Sequence, residues 1–227
     1  MILKLDKLAI LKQSLIFSGL ATEEINEVAR LCVEKRLTAN EFVFFEGDNP
    51  DWFYILAQGQ IKVIKQSSAG KDFIIAFFGP GEIFGEVAVF ENHPYPASAQ
   101  AVEDSQALGI RRDAFIKFLT QRPEVALRII NVLGSRLRMA SGRLRDLAGE
   151  RVEQRIARIL LMLSAKLGNS LPFTRQDIAD MSGTTTESAI RFLSSLNERK
   201  ITRSSRGKII IIDEAKLRLL SEGSPSF

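Results

Sequence analysis

Thr174-Arg175-Gln176-Asp177-Ile178-Ala179-Asp180-Met181-Ser182-Gly183-Thr184-Thr185-Thr186-Glu187-Ser188-Ala189-Ile190-Arg191-Phe192-Leu193 holds two helix starts in quick succession. Thr174 is followed three residues on by Asp177, and Thr184 by Glu187. Each pair is a capping-box pattern, in which a hydroxyl and a carboxylate satisfy amide donors that a helix start leaves orphaned. Met181-Ser182-Gly183-Thr184 between them is a break short enough to join two helices at a steep angle. The stretch through Lys200 therefore predicts a helix-turn-helix, a motif that reads DNA.

In its second helix, Ile190, Leu193 and Leu196 are expected to form the buried stripe, leaving Thr186, Glu187, Arg191, Ser194 and Ser195 outward. A glutamate can accept from a cytosine amino group, and an arginine can donate two bonds to guanine O6 and N7. Glu187 and Arg191 also share one helical face, so the carboxylate can brace the guanidinium. The plainer alternatives stay open: Glu187 as the far half of its capping box, Arg191 as a solvated helix charge. Arg175 and Gln176 open the first helix, where free amides and the helix dipole favour a phosphate. The candidate DNA contacts are Arg175, Gln176, Thr184, Thr185, Thr186, Glu187, Ser188, Arg191, Arg206 and Lys208. The last two sit in Ile201 to Ile212, which reads as two strands about a glycine turn, a wing whose tip also carries Arg203. Such cations suit phosphate contacts.

Upstream, Glu150 to Leu167 has the spacing of an amphipathic helix with Val152, Ile156, Ile159, Leu160 and Leu163 inward. Before it, Ala126, Ile130, Leu133, Leu137, Ala140, Leu144 and Leu147 recur in alternating steps of four and three. That is a coiled-coil seam, started by Pro123 and weakened at Gly142 and Gly149, the latter a candidate hinge. A seam of this kind predicts a two-fold homodimer reading paired, palindromic half-sites on double-stranded DNA. From Val33 to Ile110 the texture changes to short aromatic and β-branched runs, separated by turns such as Gly47-Asp48-Asn49-Pro50, Ser68-Ala69-Gly70-Lys71 and Gly79-Pro80-Gly81. These predict an all-β barrel or sandwich, preceded by a helix over 22–31. The expected fold class is α+β. A jelly-roll-like β-roll domain covers 1–120, a dimerisation helix and hinge 121–149, and a winged helix-turn-helix 150–227.

Charge is distributed to match. Residues 1–120 carry 12 Lys/Arg against 16 Asp/Glu, whereas 121–149 carry 6 against 2 and 150–227 carry 13 against 9. The basic part attracts phosphate and releases its counterions, which places a nucleic-acid surface toward the C-terminus. No apolar run reaches the roughly 18 residues a membrane span needs, and the N-terminus is a poor signal peptide, so a cytoplasmic location is expected. The single cysteine, Cys32, excludes a four-cysteine iron–sulfur cluster within one chain. No zinc-type ligand spacing occurs. No nucleophile–base constellation or phosphate-binding loop appears, and one histidine leaves little acid–base machinery, so an enzyme is not expected.

The order β-roll, long helix, winged helix-turn-helix resembles the CRP/FNR superfamily of bacterial transcription regulators. The resemblance is densest at Gly47-Asp48, Gly59, Gly79-Pro80-Gly81, Phe84-Gly85-Glu86 and Thr174 to Ala179. It implies an effector pocket in the β-roll facing the dimer helix, with binding there reorienting the DNA-binding domains, and it makes RNA polymerase an expected partner. The implied pocket residues are Gly85, Glu86, Pro96, Ala97, Arg136, Ala140 and Ser141. In cyclic-nucleotide binders of the family the glutamate meets the ribose hydroxyl, and Gly85, Glu86, Arg136 and Ser141 match that pattern. The arginine and serine that hold the cyclic phosphate fall at Pro96 and Ala97, and the base-reaching threonine at Ala140. A buried phosphate without a partner cation or hydroxyl is strongly disfavoured, so binding of cyclic AMP in the familiar way is not expected.

Thr186 stands where the cyclic-AMP branch carries arginine. That and Tyr95 to Ala99 look closer to the FNR-type or nitric-oxide-responsive members, although the serine usual before the last arginine of that branch is Ile190. The expected function is a homodimeric DNA-binding regulator gated by a small effector other than cyclic AMP. Two alternatives stand beside it: a cyclic-nucleotide-responsive regulator with an altered pocket, and a haem-based sensor of nitric oxide or carbon monoxide. For the second, His93 lies in the turn Asn92-His93-Pro94, where a solvated imidazole is the simpler reading. A β-roll module acting on protein partners is a third, disfavoured by the basic winged helix.

Overall fold

Trp52–Gln58 and Ser105–Arg111 set the architecture, because both strands bury side chains on two faces. Period-two alternation sends Phe53 and Ile55 one way and Tyr54 and Leu56 the other. Phe53, Ile55, Leu108 and Ile110 join a cluster with Leu11, Phe17, Ile25, Phe115, Phe118, Val125 and Ile129. Tyr54, Leu56 and Ala107 join a second with Val43, Phe44, Ile61, Phe78, Phe84 and Tyr95. Strands buried on both faces lie between two layers, here helices on one side and a second sheet on the other.

The computed structural model describes residues 5–66, 72–205 and 207–223, with the side chains of 72, 143 and 145–148 left aside. The predicted turn at Ser68 to Lys71 and Arg206 therefore lie outside the described residues, as does the Leu147 side chain. The chain falls into two units, one of residues 1–69 and 75–137 and one of 70–74 and 138–227.

The first unit begins with α1 (Lys7–Gln13) and α2 (Thr22–Leu31). There follow β1 (Val33–Leu37), β2 (Phe42–Phe44), β3 (Trp52–Gln58), β4 (Ile61–Gln66), β5 (Asp72–Phe78) and β6 (Ile83–Phe84). A short α3 (Glu86–Glu91), β7 (Ser98–Ala101), β8 (Ser105–Arg111) and α4 (Arg112–Gln121) complete it before α5 (Pro123–Gly149). The strands form two four-stranded sheets, ordered β1-β8-β3-β6 and β2-β7-β4-β5. This is the expected β-roll.

Helix α5 starts at Pro123, whose missing amide is harmless in a first turn, and runs unbroken through Gly142 to Gly149. Val125 and Ile129 are buried in the helix-side cluster, and Val132 and Leu133 pack partly against it. The seam expected from sequence thus divides. Leu133 leans on its own unit, whereas Ile130, Leu137 and Leu144 stay 61%, 68% and 69% exposed, beside an equally exposed Leu127.

The second unit comprises α6 (Val152–Leu167), β9 (Ser170–Leu171), α7 (Arg175–Ser182), α8 (Thr186–Glu198), β10 (Thr202–Ser205), β11 (Lys208–Ile211) and α9 (Glu214–Ser221). The wing is the antiparallel β10–β11 hairpin, with Ser205 opposite Lys208. It is widened by β9, which pairs with β11 through Leu171 and Ile209 and was not expected. The capping box at Thr174 forms as predicted, Thr174 Oγ1 accepting from the Asp177 amide and Asp177 accepting from the Thr174 amide. The second one does not. Gly183 turns left-handed at φ 61°, which delays the start of α8 by one residue, so Thr185 and not Thr184 caps it by accepting from the Ser188 amide.

Candidate effector pocket and nucleic-acid interface

At the β-roll, Gly85 links β6 to α3 in the left-handed region at φ 77°, which disfavours any side chain. A Cβ there would also press on the rings of Tyr95 and Phe44, at 3.3 and 3.4 Å. The turn delivers Glu86 into the interior, where it is only 4% exposed. Arg136 reaches it from α5: Nη1 donates to Glu86 Oε1 at 2.6 Å and Nη2 to the Ile83 carbonyl at 2.6 Å. The same guanidinium lies over the Phe78 ring, 4.6 Å from its centre. Burial pushes the Glu86 carboxyl above its ordinary range, and the nearby Arg136 charge pulls it back without overcoming that. Arg136 and Glu86 therefore satisfy each other inside the first unit.

Beyond Phe78, the rings of this sheet face stack on one another. Phe44 stacks on Tyr95 at 3.7 Å between centres, and Phe84 stacks on Tyr54 and Phe78 at 5.1 and 5.9 Å. Tyr95 donates its hydroxyl to the Trp52 carbonyl at 2.5 Å. Of the two residues at the phosphate-clamp positions, Ala97 is buried and Pro96 exposed. Lys65 donates to the Pro96 carbonyl at 2.9 Å and pairs with Glu46 at 3.3 Å, so the cation beside Pro96 is already engaged at the surface. Ala140 and Ser141 lie on α5 past residue 137, in the second unit, and both are exposed. His93 is exposed in its turn, as the solvated-imidazole reading expected. Cys32 is buried, donates to the Val28 carbonyl at 3.3 Å, and has its thiol pushed up to about 12 by burial, which makes it a poor metal ligand. Among the described residues no group of three or more His, Cys, Asp or Glu is placed to hold a metal ion, and no helix is long and apolar enough to cross a membrane.

In the second unit the buried face of α8 is Ala189, Phe192, Leu193 and Leu196. Ile190, expected inside, is outside at 38% exposure. Steps of about 100° per residue explain the correction: Ala189, Phe192, Leu193 and Leu196 fall within one face, and Ile190 is a full step away. Glu187 and Arg191 are exposed, as predicted. The expected brace between them is not closed, and among the described residues neither has an ion-pair partner. Thr185 and Ser188 are engaged in the cap, hydroxyl to hydroxyl at 3.0 Å, and the Thr184 amide closes the turn on the Ala179 carbonyl at 3.0 Å. Gln176, exposed on the first turn of α7, has a structural role that the sequence did not suggest. It accepts from the Thr186 hydroxyl and donates to Asp180 Oδ1, the latter at 2.8 Å, so it ties the first helix to the second. Arg175 and Lys208 are exposed at the start of α7 and of β11.

Two family models match this arrangement, the cyclic nucleotide-binding domain over residues 34–122 and the Crp-like helix-turn-helix domain over 154–220. The cyclic AMP receptor protein of Thermus thermophilus is 29% identical over 214 residues, spanning 94% of this chain and 99% of that protein. The CRP-like cAMP-activated global transcriptional regulator of Mycobacterium tuberculosis is 27% identical over 216 residues, spanning 92% and 96%. The chain belongs to the CRP/FNR superfamily. The solved structure of FixK2 from Bradyrhizobium japonicum superposes with a TM-score of 0.74 at 24% identity, over 83% of this chain and 96% of that one, a likeness of fold. As a CRP/FNR member the protein is a DNA-binding transcription regulator and not an enzyme.

Sequence reasoning missed one side chain that ties the second unit together. Arg155 on α6 donates to the carbonyls of Ser182 at 3.0 Å and Glu150 at 2.8 Å, and so fastens the turn of the helix-turn-helix to the segment that follows α5. An arginine among the inward residues of an amphipathic helix is the signal that could have found it.

Proposed function

We propose that this regulator is a homodimer gated by a small molecule other than cyclic AMP, which reads palindromic half-sites on double-stranded DNA and contacts RNA polymerase in the cytoplasm. In this reading residues 1–120 sense, 121–149 join the two copies and 150–227 bind DNA. The observation that carries the effector assignment is the self-satisfied pair Glu86–Arg136 beside clamp positions occupied by Pro96 and Ala97. A cyclic nucleotide entering there must bring its ribose against a buried carboxylate that is already paired, and its phosphate gains neither cation nor hydroxyl from the clamp. Dimerisation is supported by Leu127, Ile130, Leu137 and Leu144, a row of large apolar side chains that their own chain leaves exposed. Base reading is assigned to Glu187 and Arg191, phosphate contact to Arg175 and Lys208, and helix positioning to Gln176 and Thr186.

Titration calorimetry with cyclic AMP and cyclic GMP tests the effector assignment, and silence is expected. The names of the relatives favour a second reading, a cyclic-nucleotide switch in which Arg136 lets go of Glu86 to meet the ligand. Saturable heat that is lost in Arg136→Ala establishes that reading and ends the first. A Soret band in the absorption spectrum of the purified protein likewise decides for haem.

A further inference from the structure

We propose that one end of the first sheet carries a second small-molecule site, built for a free α-amino acid whose side chain ends in a carboxamide. It shares no residue with the Glu86–Arg136 pair. A cleft of about 310 Å³ opens there, lined chiefly by Arg36, Thr38, Gln58, Asp104 and Gln106. Three strands supply it in register: Arg36 of β1 lies opposite Gln106 of β8, and Gln106 opposite Gln58 of β3. Directly opposed residues share a face, with Cβ atoms about 4.5–5.5 Å apart, so the three long side chains stand in one row. The row continues the face of Leu108 and Ile110, but where those two are buried against the helices, Arg36 and Gln58 are exposed. A bulge gives the row its form. The register shifts between Leu56 and Gln58, so that Gln58 rather than Ala57 comes abreast of Gln106. Bulges re-aim side chains in this way beside functional sites. Gly59 follows at φ 85°, and a Cβ on it would overlap Ser105 Oγ and meet the Asp104 carbonyl oxygen at 2.8 Å. That close approach packs the turn after β3 against the turn before β8 and fixes Asp104 beside the row.

The cleft's polar groups are open to a ligand. Among the described residues the side chains of Arg36, Gln58 and Gln106 have no partner. Asp104 accepts from the Ala39 amide through Oδ1 at 2.9 Å, which steadies the carboxylate and leaves Oδ2. Thr38 already gives its amide and its hydroxyl to Glu41, at 2.9 and 3.0 Å. Arg36 can hold a carboxylate through two parallel bonds, and Asp104 Oδ2 can accept from an ammonium. The two are diagonal neighbours across β1 and β8, a separation of about 7–8 Å. One zwitterionic head group fills that gap, its carboxylate toward Arg36 and its ammonium toward Asp104. A plain anion is opposed by Asp104 and a plain amine by Arg36, so neither charge alone suits the cleft. The ligand's side chain then lies along the row, over Gln106 and Gln58. Each of those amides offers a donor and an acceptor, which a carboxamide answers in kind. A second carboxylate uses only their donors, and an apolar side chain uses neither.

Saturation-transfer NMR on the full-length protein, with each common L-amino acid in turn, tests the assignment. L-glutamine and L-asparagine are expected to bind reversibly and more tightly than the rest. Acetate and methylamine, which carry one charge each, should bind about tenfold more weakly or worse, the scale of one lost charge-assisted hydrogen bond. Arg36→Ala and Asp104→Asn should each weaken glutamine by about the same factor. Both positions are exposed, and asparagine keeps an oxygen for the Ala39 amide, so both variants should fold. In the wild-type protein the backbone amide signals of Ala39 and Gly59 should shift on adding glutamine, a readout that needs no variant. Silence toward every amino acid overturns the proposal. Glutamine binding that survives both substitutions overturns it as well, because the amino acid then sits elsewhere. Acetate that binds as tightly as glutamine reduces the cleft to a lone cation and has the same consequence. These outcomes leave the reading of Glu86 and Arg136 untouched, since the two sites have no residue in common.

Discussion

Glu86 and Glu187 occupy the same kind of position, the first turn of a helix, and the resemblance or the spacing assigns each an arginine. Their fates differ. Glu86 is buried and bonded to Arg136 at 2.6 Å, under an aromatic ring that covers the guanidinium. Glu187 and Arg191 are exposed and share no bond. The first unit answers Glu86 from within, whereas α8 leaves Glu187 and Arg191 unanswered. An unanswered polar group on a rigid helix is ready for a partner, because binding breaks no internal contact. A satisfied buried pair gives way only to a ligand that replaces both halves. The protein should accordingly resist ligands at Glu86–Arg136 and accept them at α8, and each variant below breaks or sharpens that contrast.

The largest effect is expected where the chain leaves apolar surface, not charge, unanswered. Leu137→Glu places a carboxylate in the exposed row on α5. A single chain tolerates it, since Leu137 is 68% exposed. A dimer does not, because the substitution buries two like charges near the two-fold axis. Sedimentation velocity should show conversion to monomer. Affinity for a palindromic site should fall by about a hundredfold or more as the bivalent gain is lost. An intact dimer in this variant means that the joining surface lies elsewhere.

Next comes the pair itself. Arg136→Ala strands a buried carboxylate, a loss worth roughly 3–5 kcal/mol for a fully buried pair. Because Arg136 keeps 22% of its side chain in solvent, about 2–3 kcal/mol is expected here. The pH dependence identifies the cause. The Glu86 carboxyl is already raised above the ordinary glutamate range by burial, so its contribution is complete below that range and fades as pH rises through the folded-state pKa. Removing Arg136 raises it further and moves the loss to higher pH. Urea denaturation should therefore find the variant closest to wild type near pH 5 and most destabilised near pH 8. Adding Glu86→Gln should flatten that dependence. A pH-independent deficit means that packing on Phe78, not charge, is what Arg136 supplies.

How much of this was legible beforehand depends on how local the cause is. The Thr174 cap was readable because its two partners lie three residues apart and answer each other. The second cap was off by one because Thr184, Thr185 and Thr186 are all competent caps, and the choice falls to the left-handed turn at Gly183. Ile190 was misplaced because residues 189, 190, 192, 193 and 196 admit two overlapping stripes. The one that includes Phe192 wins by burying more ring surface. Strand β9 has two residues and no periodicity, so only its pairing with β11 makes it visible. Glu86 and Arg136 are 50 residues apart, and family resemblance alone grouped them. That they bond to each other is a fact of packing that no spacing encodes.

Arg191→Ala tests the open side of the contrast. A bidentate contact to guanine is worth about 1–3 kcal/mol of discrimination, so affinity for the selected site should fall roughly tenfold or more and specificity should relax at one base position. Competition binding against a panel of single-base variants reads both numbers. Uniform loss across the panel would identify Arg191 as a phosphate contact and transfer base reading to Glu187.

The smallest effect is expected at Lys208, and its value lies in its form. Lys208 is exposed at the start of β11, next to the left-handed Gly207 at the tip of the hairpin. A strand-end lysine on a short ribbon can follow a phosphate but cannot fork across a base edge, because an ammonium is a point charge with freely rotating donors. Neutralising one phosphate releases one condensed counterion, so Lys208→Ala should lower the slope of log affinity against log salt by about one per copy. At low salt the loss should be a few-fold and equal for selected and random duplexes, and it should shrink as salt rises. This behaviour is opposite to that expected of Arg191, whose contribution is tied to one sequence. If Lys208→Ala instead weakens selected sites while sparing random DNA, the wing takes part in reading. The contrast between the paired Glu86 and the unpaired charges of α8 would then extend past α8 to the hairpin.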